Sequence, residues 1–80
     1  MRVIKEFSSN NIRYSVFTWN EKFLLKAEKG PMEITLKFNE LDLLGEPDWE
    51  KFVEGRFSDQ VDKQFEQLGN IYRNALQELG

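Results

Sequence analysis

PMEITLKFN, residues 31–39, reads as a strand with one dry face. Met32, Ile34, Leu36 and Phe38 alternate with Glu33, Thr35, Lys37 and Asn39. Side chains of a strand point to opposite faces in turn, so one face here is apolar and the other wet. That alternation belongs to an antiparallel sheet covered on one side. Just upstream, EKGP at 28–31 supplies a turn, because Gly30 adopts positive φ without steric cost. With Lys29 and Gly30 at its centre, Ala27 lies opposite Met32, Leu25 opposite Ile34 and Phe23 opposite Leu36. Lys26 then meets Glu33 on the wet face, a favourable cross-strand pair.

Working back, IRYSVFTW at 12–19 forms the preceding strand, turning through Asn20 and Glu21. This register sets Thr18 opposite Phe23, Val16 opposite Leu25, Tyr14 opposite Ala27 and Arg13 opposite Glu28. A three-residue loop would instead oppose Trp19 to Phe23 and Val16 to Lys26. The first register keeps one face apolar across three strands, which is what specifies register in a half-buried sheet. The first hairpin turns in SSNN, residues 8–11, with Phe7 opposite Ile12 and Glu6 opposite Arg13. Lys5 falls on the dry face, which suits an edge strand from which a long side chain reaches water.

After residue 41 the period changes from two to helical. Gly45, Pro47 and Gly55 punctuate ELDLLGEPDWEKFVEGRF. Pro47 suits the first turn of a short helix ending near Gly55, packing through Trp49, Phe52 and Val53. Ser58 offers an N-cap, with Asp59 in the first turn. Val61, Phe65, Leu68, Tyr72, Ala75, Leu76 and Leu79 then recur along one stripe of roughly 100°. Gly69 interrupts it, marking either a kink or a close approach. The fold class is α+β. A four-stranded antiparallel meander over 1–40 precedes a helical segment over 41–80, whose short helix and long amphipathic C-terminal helix pack on one sheet face.

Eighty residues make a single domain, 1–80, with a core too small for large stability margins. The chain is 40% hydrophobic and 14% aromatic, which excludes disorder. Its net charge of −3 divides into +2 over residues 1–40 and −5 over 41–80. That balance argues against general nucleic-acid binding but leaves one face open to it. No apolar run approaches a membrane span, and the charged start lacks the apolar core of a leader. The expected setting is cytoplasmic, with no membrane partner.

One helix covers one sheet face, so Phe17, Trp19 and Leu24 are expected on the other, with Phe17 opposite Leu24. Arg13, Lys22, Lys26 and Lys37 surround them, interleaved with Glu6, Glu28 and Glu33. Three readings follow. The cluster is a satellite shielded by the chain termini or by the Trp49 segment, and exposed aromatics are also ordinary in small domains, where surface is plentiful. It is a protein–protein surface, with self-association as a homodimer favoured over an unidentified protein partner. Or it is a single-stranded nucleic-acid platform on which bases stack on Phe17 and Trp19 while Arg13, Lys22, Lys26 and Lys37 hold phosphates.

Two resemblances accompany this reading. A four-stranded meander followed by a helix resembles, in element order over most of the chain, the repeat of the PUR family. That resemblance implies single-stranded nucleic-acid binding on the sheet face and pairing of repeats through their helices. The stretch FSSNNIRYSVFTWNEKFLLKAEKGPMEITLKF with its acidic helical C-terminus also resembles a family of short bacterial proteins. That second likeness implies nothing about mechanism.

Missing chemistry narrows the function. Without His or Cys there is no Ser-His-Asp or Cys-His nucleophile, no thiol redox and no Cys/His zinc site. No glycine-rich phosphate loop occurs. Glu40, Asp42, Glu46, Asp48 and Glu50 crowd one segment but do not match the calcium-loop spacing. They read as a solvated loop with acidic helix starts. The sequence therefore predicts a non-enzymatic interaction module with no catalytic residues, no metal and no cofactor, contacting its partner through Phe17, Trp19 and Leu24.

Overall fold

A computed structural model describes all 80 residues. Four strands, β1 (Arg2–Ser9), β2 (Ile12–Trp19), β3 (Lys22–Lys29) and β4 (Met32–Asn39), form one antiparallel sheet in meander order. A short 3₁₀ turn (Glu40–Asp42) leads through a loop to α1 (Trp49–Phe52), a wide π-type turn (Val53–Phe57) and α2 (Ser58–Leu79). The expected α+β class, element order and helix-covered face are those of the structure.

The β2–β3 register is the expected one: Thr18 opposite Phe23, Val16 opposite Leu25, Tyr14 opposite Ala27, Arg13 opposite Glu28. Asn20 and Glu21 both take positive φ, 56° and 62°, as a type I′ turn requires. The other two hairpins differ from expectation. The β1–β2 turn is a tight pair, Asn10 and Asn11 at φ 53° and 64°, so Phe7 faces Tyr14 and Glu6 faces Ser15. Asn tolerates this left-handed conformation, so two residues suffice where four were expected. The β3–β4 turn centres on Gly30 and Pro31, placing Lys29 opposite Met32, Ala27 opposite Ile34 and Phe23 opposite Phe38. The reason is covalent. A turn centred on Lys29–Gly30 would need the N–H of residue 31 to close it, and Pro31 has none. The slide is two residues, an even number, so every side chain keeps its face.

Ile12, Tyr14, Val16, Phe23, Leu25 and Ala27 line the dry face, and Trp49, Val53, Val61 and Phe65 close over it. Trp49 sets its ring edge against Phe23 at 5.5 Å. Lys5 does point to this side, where it reaches Glu50 of α1 at 3.5 Å. A β-bulge between Val3 and Lys5 adds a residue to β1 there.

The helical segment follows a different course from expectation at three points. Asp48, one residue after Pro47, caps α1 by accepting from the Lys51 N–H at 3.2 Å. Phe52 meets Trp49 edge-on at 6.4 Å and packs on Phe57, yet it stays substantially exposed. Ser58 is not an N-cap. Its backbone is already helical, and its hydroxyl donates to the Gly55 carbonyl at 3.3 Å. The break in helical geometry lies at Gly55, while α2 runs unbroken through Gly69.

Candidate functional site

The open sheet face is built in rows by the register. Val3, Phe17, Leu24 and Lys37 form one row across the four strands. Trp19 and Lys22 stand in the row beside it, and Glu6, Ser15, Lys26 and Thr35 form the row on the other side. Phe17 and Leu24 are thus cross-strand neighbours, as the sequence requires. Their exposures differ. Trp19 is 48% exposed and Val3 is 46% exposed, Phe17 is half-buried, and Leu24 retains only 6%. Leu24 lies between Phe17 and Lys37 across the sheet and between Lys22 and Lys26 along β3, whose long stems shelter it. It therefore supports the patch from beneath instead of offering surface.

The cations of this face divide into two pairs. Arg13 lies 3.6 Å from Glu6, and Lys26 reaches both Glu28 at 3.7 Å and Glu33 at 3.8 Å. Lys22 and Lys37 have no carboxylate within ion-pair distance. A phosphate chain laid on this face would find two ready cations, and two already neutralised by their neighbours.

A second apolar surface was not anticipated. The molecule is 45 Å long, whereas an eight-residue strand spans roughly 26 Å. The difference, about 19 Å, is about a dozen residues of helix at 1.5 Å each. Val61 and Phe65 are buried on the sheet, and Leu68 is the last stripe residue packed against the core. Beyond it the stripe continues with nothing beneath, Leu76 being 52% exposed and Leu79 86%, while Ile71, 64% exposed, stands on its flank. Tyr72 belongs to the same exposed run. The signal was present in the sequence as a length mismatch, since a 22-residue helix outruns the sheet it rests on.

The remaining features are smaller. Phe38, Leu43, Pro47, Trp49 and Phe52 enclose an apolar hollow of about 140 Å³. No three of the chain's carboxylates converge in a group that could hold a metal ion, the acidic segment from Glu40 to Glu50 included. No helix is long and apolar enough to cross a membrane. Under the helices, the Tyr14 hydroxyl and the Trp49 indole N–H are buried without a hydrogen-bond partner. Burial, and then the negative charge of Asp62, push the Tyr14 pKa above its ordinary value. Compared with known proteins, the chain matches no protein-family model, no curated protein and no solved structure.

Proposed function

We propose that this chain is a non-enzymatic interaction module that works by self-association. The observation that carries the reading is the free half of α2, an apolar stripe that leaves the sheet and covers nothing. Burying a whole Leu or Ile side chain is worth about 1.5–3 kcal/mol. Scaled by their exposures, Tyr72, Leu76 and Leu79 offer roughly 3–5 kcal/mol per copy. A symmetric pair doubles that, against an association cost of about 4–15 kcal/mol. The balance describes a weak, concentration-dependent dimer. The half-exposed Trp19 with Val3 and Phe17 forms a second, smaller contact zone on the open sheet face. The cysteine-free composition suits the reducing cytoplasm.

Sedimentation of wild type and Leu76→Glu over a concentration series tests this. The wild type gains mass with concentration; the variant gains less mass at the same concentration with an unchanged melt, because Leu76 is 52% exposed. Undiminished association in the variant would remove α2 from the contact.

The alternative, PUR-like binding of single-stranded nucleic acid on the open sheet face, rests on unpaired Lys22 and Lys37 beside Trp19 and Phe17. It requires oligonucleotide affinity that falls steeply with salt and is lost in Lys22→Glu. Binding that ignores both would dispose of it.

A further inference from the structure

β4 is an outer strand, and none of its backbone hydrogen bonds leaves on the outer side. The two-residue turn at Gly30–Pro31 makes Lys29 and Met32 a hydrogen-bonded pair. By alternation Ile34, Leu36 and Phe38 also bond to β3, while Glu33, Thr35, Lys37 and Asn39 present their N–H and C=O groups outward. The opposite edge of the sheet is blunted: β1 carries a bulge and the charges of Arg2, Lys5 and Glu6. β4 has neither bulge nor proline over eight residues. A regular exposed edge is a template for another strand.

The sequence of β4 names which strand. Centred on Thr35, it is complementary to itself when antiparallel. Glu33 of one copy falls opposite Lys37 of the other, twice over. Thr35 meets Thr35, Ile34 meets Leu36, and Met32 meets Phe38. Opposite charges and paired threonines are favourable cross-strand partners. Lys37 has no carboxylate partner in its own chain. Leu36, 38% exposed on the dry face, would gain the cover of a neighbouring Ile34. Sliding by two residues in either direction keeps the backbone parity but opposes Glu33 to Thr35 or to Asn39, and both charge pairs are lost.

We propose that β4 pairs antiparallel with β4 of a second copy about a two-fold axis through Thr35, joining two four-stranded sheets into one of eight strands. The contact is isologous, so each complementary pair occurs twice. It adds about six backbone hydrogen bonds, two for each facing pair of outward residues. Paired residues share a face, so both copies of α2 lie on one side of the joined sheet and both open faces on the other. This contact is separate from the free half of α2, and the two are tested by different residues.

The test is a charge swap followed by sedimentation, in the full chain and again with Leu76→Glu present to remove the α2 contact. Lys37→Glu alone and Glu33→Lys alone each set like charges opposite one another at two places. Each weakens dimerisation by at least about tenfold. Combining them as E33K/K37E restores wild-type affinity, which also shows that the single variants fold. Thr35→Pro removes an outward N–H without touching a bond to β3 and yields monomer. The proposal is overturned if the Leu76→Glu protein is monomeric at millimolar concentration, if either single reversal leaves its dimer unchanged, or if the double swap does not restore it.

Discussion

Tyr14→Phe should make this protein more stable. Tyr14 is fully buried, stacked on Phe7 with ring centroids 5.4 Å apart and 13° between planes. Its hydroxyl has no hydrogen-bond partner. Leaving such a group unsatisfied costs about 1–3 kcal/mol of desolvation. Phenylalanine keeps the ring, the stack and nearly all the volume. The oxygen's lost van der Waals contacts offset part of the gain, so the expected net is about 1 kcal/mol. For a domain of this size that raises Tm by roughly 4–8 °C. Urea denaturation followed by Trp fluorescence measures it directly, with an unchanged m-value. A loss of about 1 kcal/mol or more would refute the reasoning, because it would mean that the hydroxyl donates a real bond, with the Asp62 carboxylate as acceptor.

The same residue sets an alkaline limit. Its pKa is raised in the folded state, by burial first and by Asp62 second, above an ordinary value of about 10. The unfolded chain therefore releases this proton at lower pH than the folded chain. The contribution to stability is complete below about pH 10 and is lost as pH rises through the folded pKa. Tyr14→Phe removes that part of the alkaline decline. An identical decline in both proteins would mean that Tyr14 does not titrate as described.

Glu21 sits at φ 62° in a type I′ turn, where an ordinary side chain costs about 1–2 kcal/mol. Glu21→Gly relieves that strain but adds about 0.4–1 kcal/mol of unfolded-chain entropy. A net gain of about 0.5–1 kcal/mol is expected in the urea midpoint, and a loss would mean that the side chain contributes a contact. Phe65→Ala empties a buried site under α2 and should cost about 3–5 kcal/mol, whereas Leu79→Ala at the free tip should change stability by less than about 0.5 kcal/mol in dilute protein. Equal effects on the two denaturation curves would contradict the placement of α2.

The sheet is legible because one register keeps Ile12, Tyr14, Val16, Phe23, Leu25, Ile34, Leu36 and Phe38 on one side, leaving Phe17, Trp19 and Leu24 on the other. The β3–β4 turn sits one residue further along than EKGP suggests, because Pro31 lacks the N–H that a turn centred on Lys29–Gly30 needs. The slide did not disturb the core, since an even shift preserves faces. Ser58 looks like a cap because it precedes the apolar stripe, yet after the break at Gly55 the backbone is already helical at Phe57. Phe17 and Leu24 were legible as neighbours, but the shelter of Leu24 depends on how the stems of Lys22, Lys26 and Lys37 lie, which no pattern encodes. The free half of α2 is implicit in element lengths, but an apolar stripe has the same period whether or not a sheet lies beneath it.

Self-association is most directly tested by sedimentation equilibrium of the unmodified chain from low micromolar to millimolar concentration. A mass rising reversibly from 9.5 kDa toward twice that value, and beyond it where both contacts are made, is the predicted result. A single 9.5 kDa species throughout would contradict it, leaving α2 and β4 as surfaces that this chain does not use on itself.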